Sequence, residues 1–141
     1  MSMKNASKPR APERDYSHRT LIDKLGVKPG LRVAVLGVED AEFLRDLNAM
    51  VPEYSRARRI SNADLIFFSA EALSDLSHLK SLSRSICKSG AVWVVYPKGQ
   101  KQIREIDVIS AGKSAGLTDN KVVRFSDTHT GLRFVIPLAN R

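Results

Sequence analysis

The run Val27-Lys-Pro-Gly-Leu-Arg-Val-Ala-Val-Leu-Gly37 constrains the fold of this chain more than any other stretch. Lys28-Pro29-Gly30 is a turn, because proline presets its own backbone and glycine accepts conformations other residues avoid. The turn feeds residues 31–36, which are apolar apart from Arg32. A continuous apolar run of this length is a strand covered on both faces, as in the middle of a parallel sheet. Gly37 stands where that strand should end. A strand that presents its end to a ligand is usually followed by further glycines, whose bare backbone lets the ligand come close. Here Val38-Glu39-Asp40-Ala41 runs straight into a helical pattern.

The rest of the chain alternates in the same way. Leu21 and Leu25 are four apart before Gly26, the mark of a short helix with a glycine stop. Residues 40–50 place Phe43, Leu44, Leu47 and Met50 at helical spacing, with Glu39, Asp40 and Glu42 at the start where the helix dipole favours them. Residues 54–60 are a weak, heavily basic strand, expected at an edge. Residues 63–68 form a second buried strand, and Ser69 is placed to cap the helix after it. Leu73, Leu76, Leu79, Leu82 and Ile86 mark one face of a long helix that Ser89-Gly90 closes, with Cys87 a small buried side chain near its end. Residues 91–96 are a third buried strand, with Trp93 in the core, and Pro97 stops it. Residues 103–115 read as a helix. Residues 121–126 and 132–136 read as an antiparallel pair around Asp127-Thr128-His129-Thr130-Gly131. Strands alternating with helices imply βαβ units and a mostly parallel sheet.

Four local matches, Lys28 to Val33, Ala63 to Phe68, Lys88 to Val95 and Ser114-Ala115-Gly116-Leu117, make residues 20–137 resemble the S-adenosylmethionine-dependent methyltransferase fold. A narrower resemblance rests on Tyr16, Leu25 to Gly30, Val92-Trp93-Val94 with Pro97-Lys98, Gly116 to Val122, and Gly131 to Val135. These are similar to a small bacterial family catalogued as domain of unknown function 3052. That family's pattern has Trp where this chain has Tyr96, and Trp in the hairpin loop where it has His129. The resemblance implies a three-layer Rossmann-like, methyltransferase-like α/β fold, a mostly parallel sheet with a C-terminal antiparallel hairpin, in a bacterial cytoplasm. It implies no assigned reaction.

Composition bounds the partners. The chain has 141 residues and a formal net charge of +8, so polyanions are attracted to it in a salt-dependent way. Lys4, Lys8, Arg10 and Arg14, with Pro9 and Pro12, read as a disordered basic arm over residues 1–17, ahead of a single domain over 18–141. Arg56, Arg58 and Arg59 form a second basic cluster and are candidates for an anion, and Lys98, Lys101 and Arg104 form a third cluster. Aromatic residues make up only 6%, leaving few platforms on which bases could stack. The single cysteine fits a reducing cytoplasm. No apolar run approaches the ~20 residues of a membrane span.

In an open α/β sheet, ligands bind beyond the carboxyl ends of the strands. The residues expected there are Gly37, Val38, Ser69, Ala70, Pro97 and Lys98, with Arg58 or Arg59 reaching the same rim and favouring an anion such as phosphate. The cofactor-binding candidates among them are Gly37, Val38, Ser69 and Lys98. Against S-adenosylmethionine stand Val38 and Glu39 in the space a cofactor would take, and basic Arg58-Arg59 where a ribose would need a carboxylate. His18, His78 and His129 belong to different elements, so no metal site is expected, and Ser126, Asp127 and His129 are too close in one loop to converge as a triad. The reading is a non-catalytic or degenerate methyltransferase-like binding or interaction module. A methyltransferase with an atypical glycine loop and a nucleic-acid or anion binder are the alternatives.

Overall fold

The computed structural model describes residues 20–141, so the basic arm expected over 1–17 lies outside the described residues. The elements are α1 (Leu21–Lys24), β1 (Val33–Leu36), α2 (Ala41–Met50), β2 (Ala63–Ser69), a 3₁₀ helix (Leu73–His78), α3 (Leu79–Ser83), β3 (Ile86–Pro97), α4 (Glu105–Ser114), β4 (Thr118–Arg124), β5 (His129–Val135) and a last 3₁₀ turn (Leu138–Asn140). The strands form one five-stranded sheet in the order β1-β2-β3-β5-β4. β1 and β3 lie parallel to β2, whereas β5 runs antiparallel to both β3 and β4. Four of the five strands, β1, β2, β3 and β4, therefore point the same way, and β5 alone runs against them, which makes the sheet mixed at its C-terminal side.

All four residues of β1 are buried, as an apolar run covered on both faces requires. Val33 and Val35 join Leu65, Phe67, Trp93 and Val95 in one apolar cluster, which α1 and α2 cover with Ile22, Phe43 and Leu47. Ala34 and Leu36 join Ile66, Phe68, Val92 and Val94 in the other, covered by Leu76, Leu79, Leu82 and Val108. The two-residue period of a strand sorts the side chains between these faces. Trp93 is fully buried, and its indole N–H donates to the Leu25 carbonyl at 3.1 Å, tying α1 to the sheet.

Three elements differ from expectation, each for a local reason. The leucine stripe from Leu73 does not form one long helix; it breaks into the 3₁₀ segment and the short α3. Its serines offer the backbone competing bonds: Ser77 donates to Ser74 O (2.9 Å), Ser83 to Lys80 O (2.6 Å) and Ser85 to Ser81 O (3.1 Å). Ser69 does not cap the segment; it ends β2, and Asp75 accepts the backbone N–H groups of Glu71 and Ala72 at 2.9 and 3.1 Å instead. Ile86 belongs to β3, so that strand starts five residues before the expected Ala91, and Cys87 is a half-buried strand residue beside Asp64. Cys87-Lys88-Ser89 bulge out where the pairing jumps from Ala63↔Ile86 to Leu65↔Ala91. The basic strand expected over 54–60 shrinks to one parallel bridge, Ala34↔Ser55. Residues 56–59 are exposed, as arginine side chains that keep their charge in water require.

Candidate functional site

The carboxyl ends of β1, β2 and β3 meet at an open cleft of about 350 Å³. Gly37, Ser69 and Val95 come from those strand ends, and Phe125, Thr128 and His129 close the far side. The far side is delivered by register. Pro97, the last residue of β3, pairs with His129, the first of β5, so the β4–β5 turn hangs over the strand ends. Gly37 has φ +84°, which residues with side chains adopt reluctantly. A Cβ there would also press on Ser69 Cβ at 3.3 Å.

The expectation for Val38 needs correcting. Val38 is only 4% exposed and packs in the apolar cluster with Phe43 and Leu47, so it forms wall without filling the space. Glu39 is held to the side by Arg56, whose Nη2 lies 2.9 Å from Glu39 Oε2. Tyr54, and then Glu39, keep the Arg56 guanidinium charged above its ordinary range. Arg56, not Arg58 or Arg59, thus reaches the rim, and it arrives already paired. Arg58 contacts His78 Nδ1 at 3.4 Å, and both Arg58 and Arg59 line a different depression with Arg84. Lys98 is exposed outside the cleft, in a depression that it shares with Tyr96 and Ile103. Ala70 and Pro97 are buried. Of the side chains expected at the mouth, only Ser69 presents a polar group to it.

The polar machinery of the cleft lies in residues that sequence reasoning passed over. Glu71 Oε2 stands 2.8 Å from His129 Nε2 and accepts from Ser69 Oγ at 3.3 Å. His129 Nδ1 stands 2.8 Å from Thr128 Oγ1. With the Nε2–H proton facing Glu71, Nδ1 accepts from the Thr128 hydroxyl, giving a hydroxyl–imidazole–carboxylate chain along the cleft wall. Ser126 Oγ accepts the backbone N–H of His129 at 3.1 Å and of Thr128 at 3.3 Å, which fixes the turn that carries both. Asp40 also lines the cleft, and its Oδ1 accepts the Phe43 N–H at 2.9 Å, capping α2. No local signal marked the pair: Glu71 lies two residues past the end of β2, and His129 begins β5 only once that strand has paired with β3. Reading His129 only against its loop neighbours hid the partner 58 residues away.

Glu39, Asp40 and Glu71 thus surround an opening on a chain whose net charge is +8. The arrangement suits a neutral or cationic group. A carboxylate or phosphate would meet these three acids, and Asp40 already occupies the helix end that would otherwise attract an anion. Among the described residues no group of three or more His, Cys, Asp or Glu could hold a metal ion. Nor is any helix among them long and apolar enough to cross a membrane.

No family model matches the chain, and no curated protein matches it. Solved structures do. A SAM-dependent methyltransferase from Aquifex aeolicus superposes with a TM-score of 0.65 at 16% identity, covering 83% of this chain and 88% of that one. The ribosomal protein L11 methylase of Lactobacillus delbrueckii subsp. bulgaricus gives 0.56 at 18%, covering 82% and 74%. A magnesium protoporphyrin IX methyltransferase from Synechocystis with bound SAM gives 0.54 at 12%, covering 82% and 74%. The chain has a methyltransferase-like α/β fold.

S-adenosylmethionine is the group this fold implies, and the cleft fits it in part. Bare Gly37 backbone, the Ser69 hydroxyl and the apolar Val95 and Phe125 suit an adenosyl group. The methionine end carries an ammonium as well as a carboxylate: the ammonium would suit the acids that line the opening, whereas the carboxylate would find the Phe43 amide at the start of α2 already held by Asp40.

Proposed function

We propose that this protein is a binding module on a methyltransferase-like scaffold, and that its ligand is a neutral or cationic adenine nucleoside without a carboxylate, held in the Gly37–Ser69–His129 cleft. Asp40 carries this reading: its carboxylate caps α2 where an anionic ligand would dock, while Glu71, held by Ser69 and His129, lines the same cleft as an acceptor for a hydroxyl or amine. The cleft volume lies within the range of small-molecule sites. Isothermal calorimetry with 5′-methylthioadenosine, S-adenosylhomocysteine and S-adenosylmethionine tests it. The expected result is saturable micromolar binding of 5′-methylthioadenosine, at least about tenfold weaker binding of S-adenosylhomocysteine, and loss of both in Gly37→Val. Tightest binding of S-adenosylhomocysteine, or no heat from any of the three, overturns the reading.

The Thr128–His129–Glu71 chain supports a second, enzymatic reading, in which His129 takes a proton from a bound acceptor while Glu71 stabilises the resulting imidazolium. Methyl transfer is the reaction that likeness of fold favours. Incubation with labelled S-adenosylmethionine and a cell extract decides it: label in a product that His129→Gln abolishes supports the enzyme, and no labelled product removes it.

A further inference from the structure

The basic cluster that the cleft leaves aside has its own geometry. Arg58, Arg59 and Arg84 line one depression of about 570 Å³ together with Ser61, Ser81 and Ser85. A neighbouring depression of about 470 Å³ shares Arg59 and Ser61 with it and adds Arg32. All of this lies at the amino ends of the parallel strands: Arg32 immediately precedes β1, Ser61 stands two residues before β2, and Arg84-Ser85 lead into β3. The cleft is at their carboxyl ends, so the two surfaces occupy opposite ends of the sheet.

The arginines of the larger depression hold no described carboxylate. Among the described residues, Arg45, Arg56, Arg104 and Arg124 each hold a carboxylate. Arg58, Arg59 and Arg84 form no ion pair with a described carboxylate, and no carboxylate lines their depression. Two acids lie beside the patch: Glu53 lines the neighbouring depression, and Asp64 Oδ2 accepts the Arg32 backbone N–H at 2.8 Å. Arg32 itself donates through Nη1 to the Ser61 carbonyl at 3.1 Å, which steadies the edge of the patch. All four arginines are exposed. Like charges gathered without counterions repel, and the repulsion is relieved when a polyanion replaces the mobile ions around them. Guanidinium forks match phosphate oxygens bidentately, and serine hydroxyls add neutral donors to the same oxygens.

We propose that this arginine–serine surface binds the phosphate backbone of a nucleic-acid duplex. Two adjoining depressions spread the cations over more than one phosphate, which fits a polymer better than a single anion. No Phe, Tyr or Trp lines either depression, so the surface has nothing on which to stack splayed bases, and contact is to the backbone of a paired helix.

The test is fluorescence anisotropy of the full chain with a labelled DNA duplex of about 20 base pairs, titrated between about 50 and 200 mM salt. The variant Arg58→Gln/Arg59→Gln/Arg84→Gln is expected to weaken binding at least about tenfold at the lowest salt and to reduce the log–log salt slope by about 2.7, at about 0.9 for each lost phosphate contact. A control, Arg45→Gln/Lys101→Gln/Arg124→Gln, removes the same formal charge elsewhere and keeps the slope. Each single patch variant lowers the slope by about 0.9, which keeps the test decisive should the triple variant unfold. Equal losses in patch and control variants mean that binding follows net charge alone and overturn the proposal. So does an unchanged slope in the patch variants, or binding of tripolyphosphate without binding of the duplex.

Discussion

Gly112 owes its identity to Phe134. It sits in α4 where that helix touches β5, and a Cβ built there would overlap the Phe134 ring. Nothing local requires glycine, which weakens a helix interior by about 1 kcal/mol relative to alanine. Gly112→Ala should therefore destabilise the protein by about 1–3 kcal/mol despite the better helix propensity, read as a lower urea midpoint at unchanged slope. In the cleft, Glu71→Gln keeps the shape of the side chain and removes its charge. Binding of 5′-amino-5′-deoxyadenosine should weaken about tenfold while adenosine binding changes little, since hydrogen bonds to charged groups are worth about 1.5–3 kcal/mol. Gly112 and Glu71 were both illegible in the sequence. The reason for each lies on another element, Phe134 for the glycine and His129 for the acid.

Asp40 and Asp107 show how one carboxylate sets a helix and something beyond it. Asp40→Ala removes the cap on the Phe43 amide and should cost about 1 kcal/mol of stability in chemical denaturation. The same change frees the helix end, so S-adenosylhomocysteine should gain affinity relative to 5′-methylthioadenosine in calorimetry; no change in that ratio would detach Asp40 from ligand choice. Asp107 accepts the Arg104 backbone N–H at 2.9 Å. That bond, and then the Arg104 side chain, hold its carboxyl below the ordinary carboxylate range. A group depressed in the folded state stabilises it above the unfolded pKa and loses that contribution as pH falls through the folded one. Urea melts between about pH 5 and pH 2 should show this acid-labile part shrink in Asp107→Asn. Asp40 was readable at the start of α2 as a partner of the helix dipole, because that preference acts within one turn of chain, although the cap expected at Ser69 did not form. The broken leucine stripe was not readable, because its period matched a helix while its serines were drawing backbone carbonyls out of one.

Across the molecule, the sheet separates two surfaces of opposite character. The cleft end is ringed by Glu39, Asp40 and Glu71, and the other end by Arg32, Arg58, Arg59 and Arg84. Raising salt from about 50 to 200 mM should leave 5′-methylthioadenosine binding nearly constant while duplex binding falls steeply, because only the second is driven by counterion release. Calorimetry and anisotropy on one preparation check both arms. Net charge alone, at +8, hid this division. A sum over the chain carries no information on which charges the fold sets side by side.

Of the apolar runs 31–36, 63–68 and 91–96, the second and third form strands throughout and the first from Val33 onward, because continuous apolar runs have nowhere to go but a covered sheet, and the helices between them imposed parallel pairing among those three. Periodicity and turn chemistry act over a few residues, and the chain displays them openly. Which side chains share the cleft was settled only when β5 paired antiparallel to β3 and set His129 against Pro97, within reach of Glu71. Strand register is a long-range choice, made by the packing of both sheet faces at once, and no local stretch of chain records it.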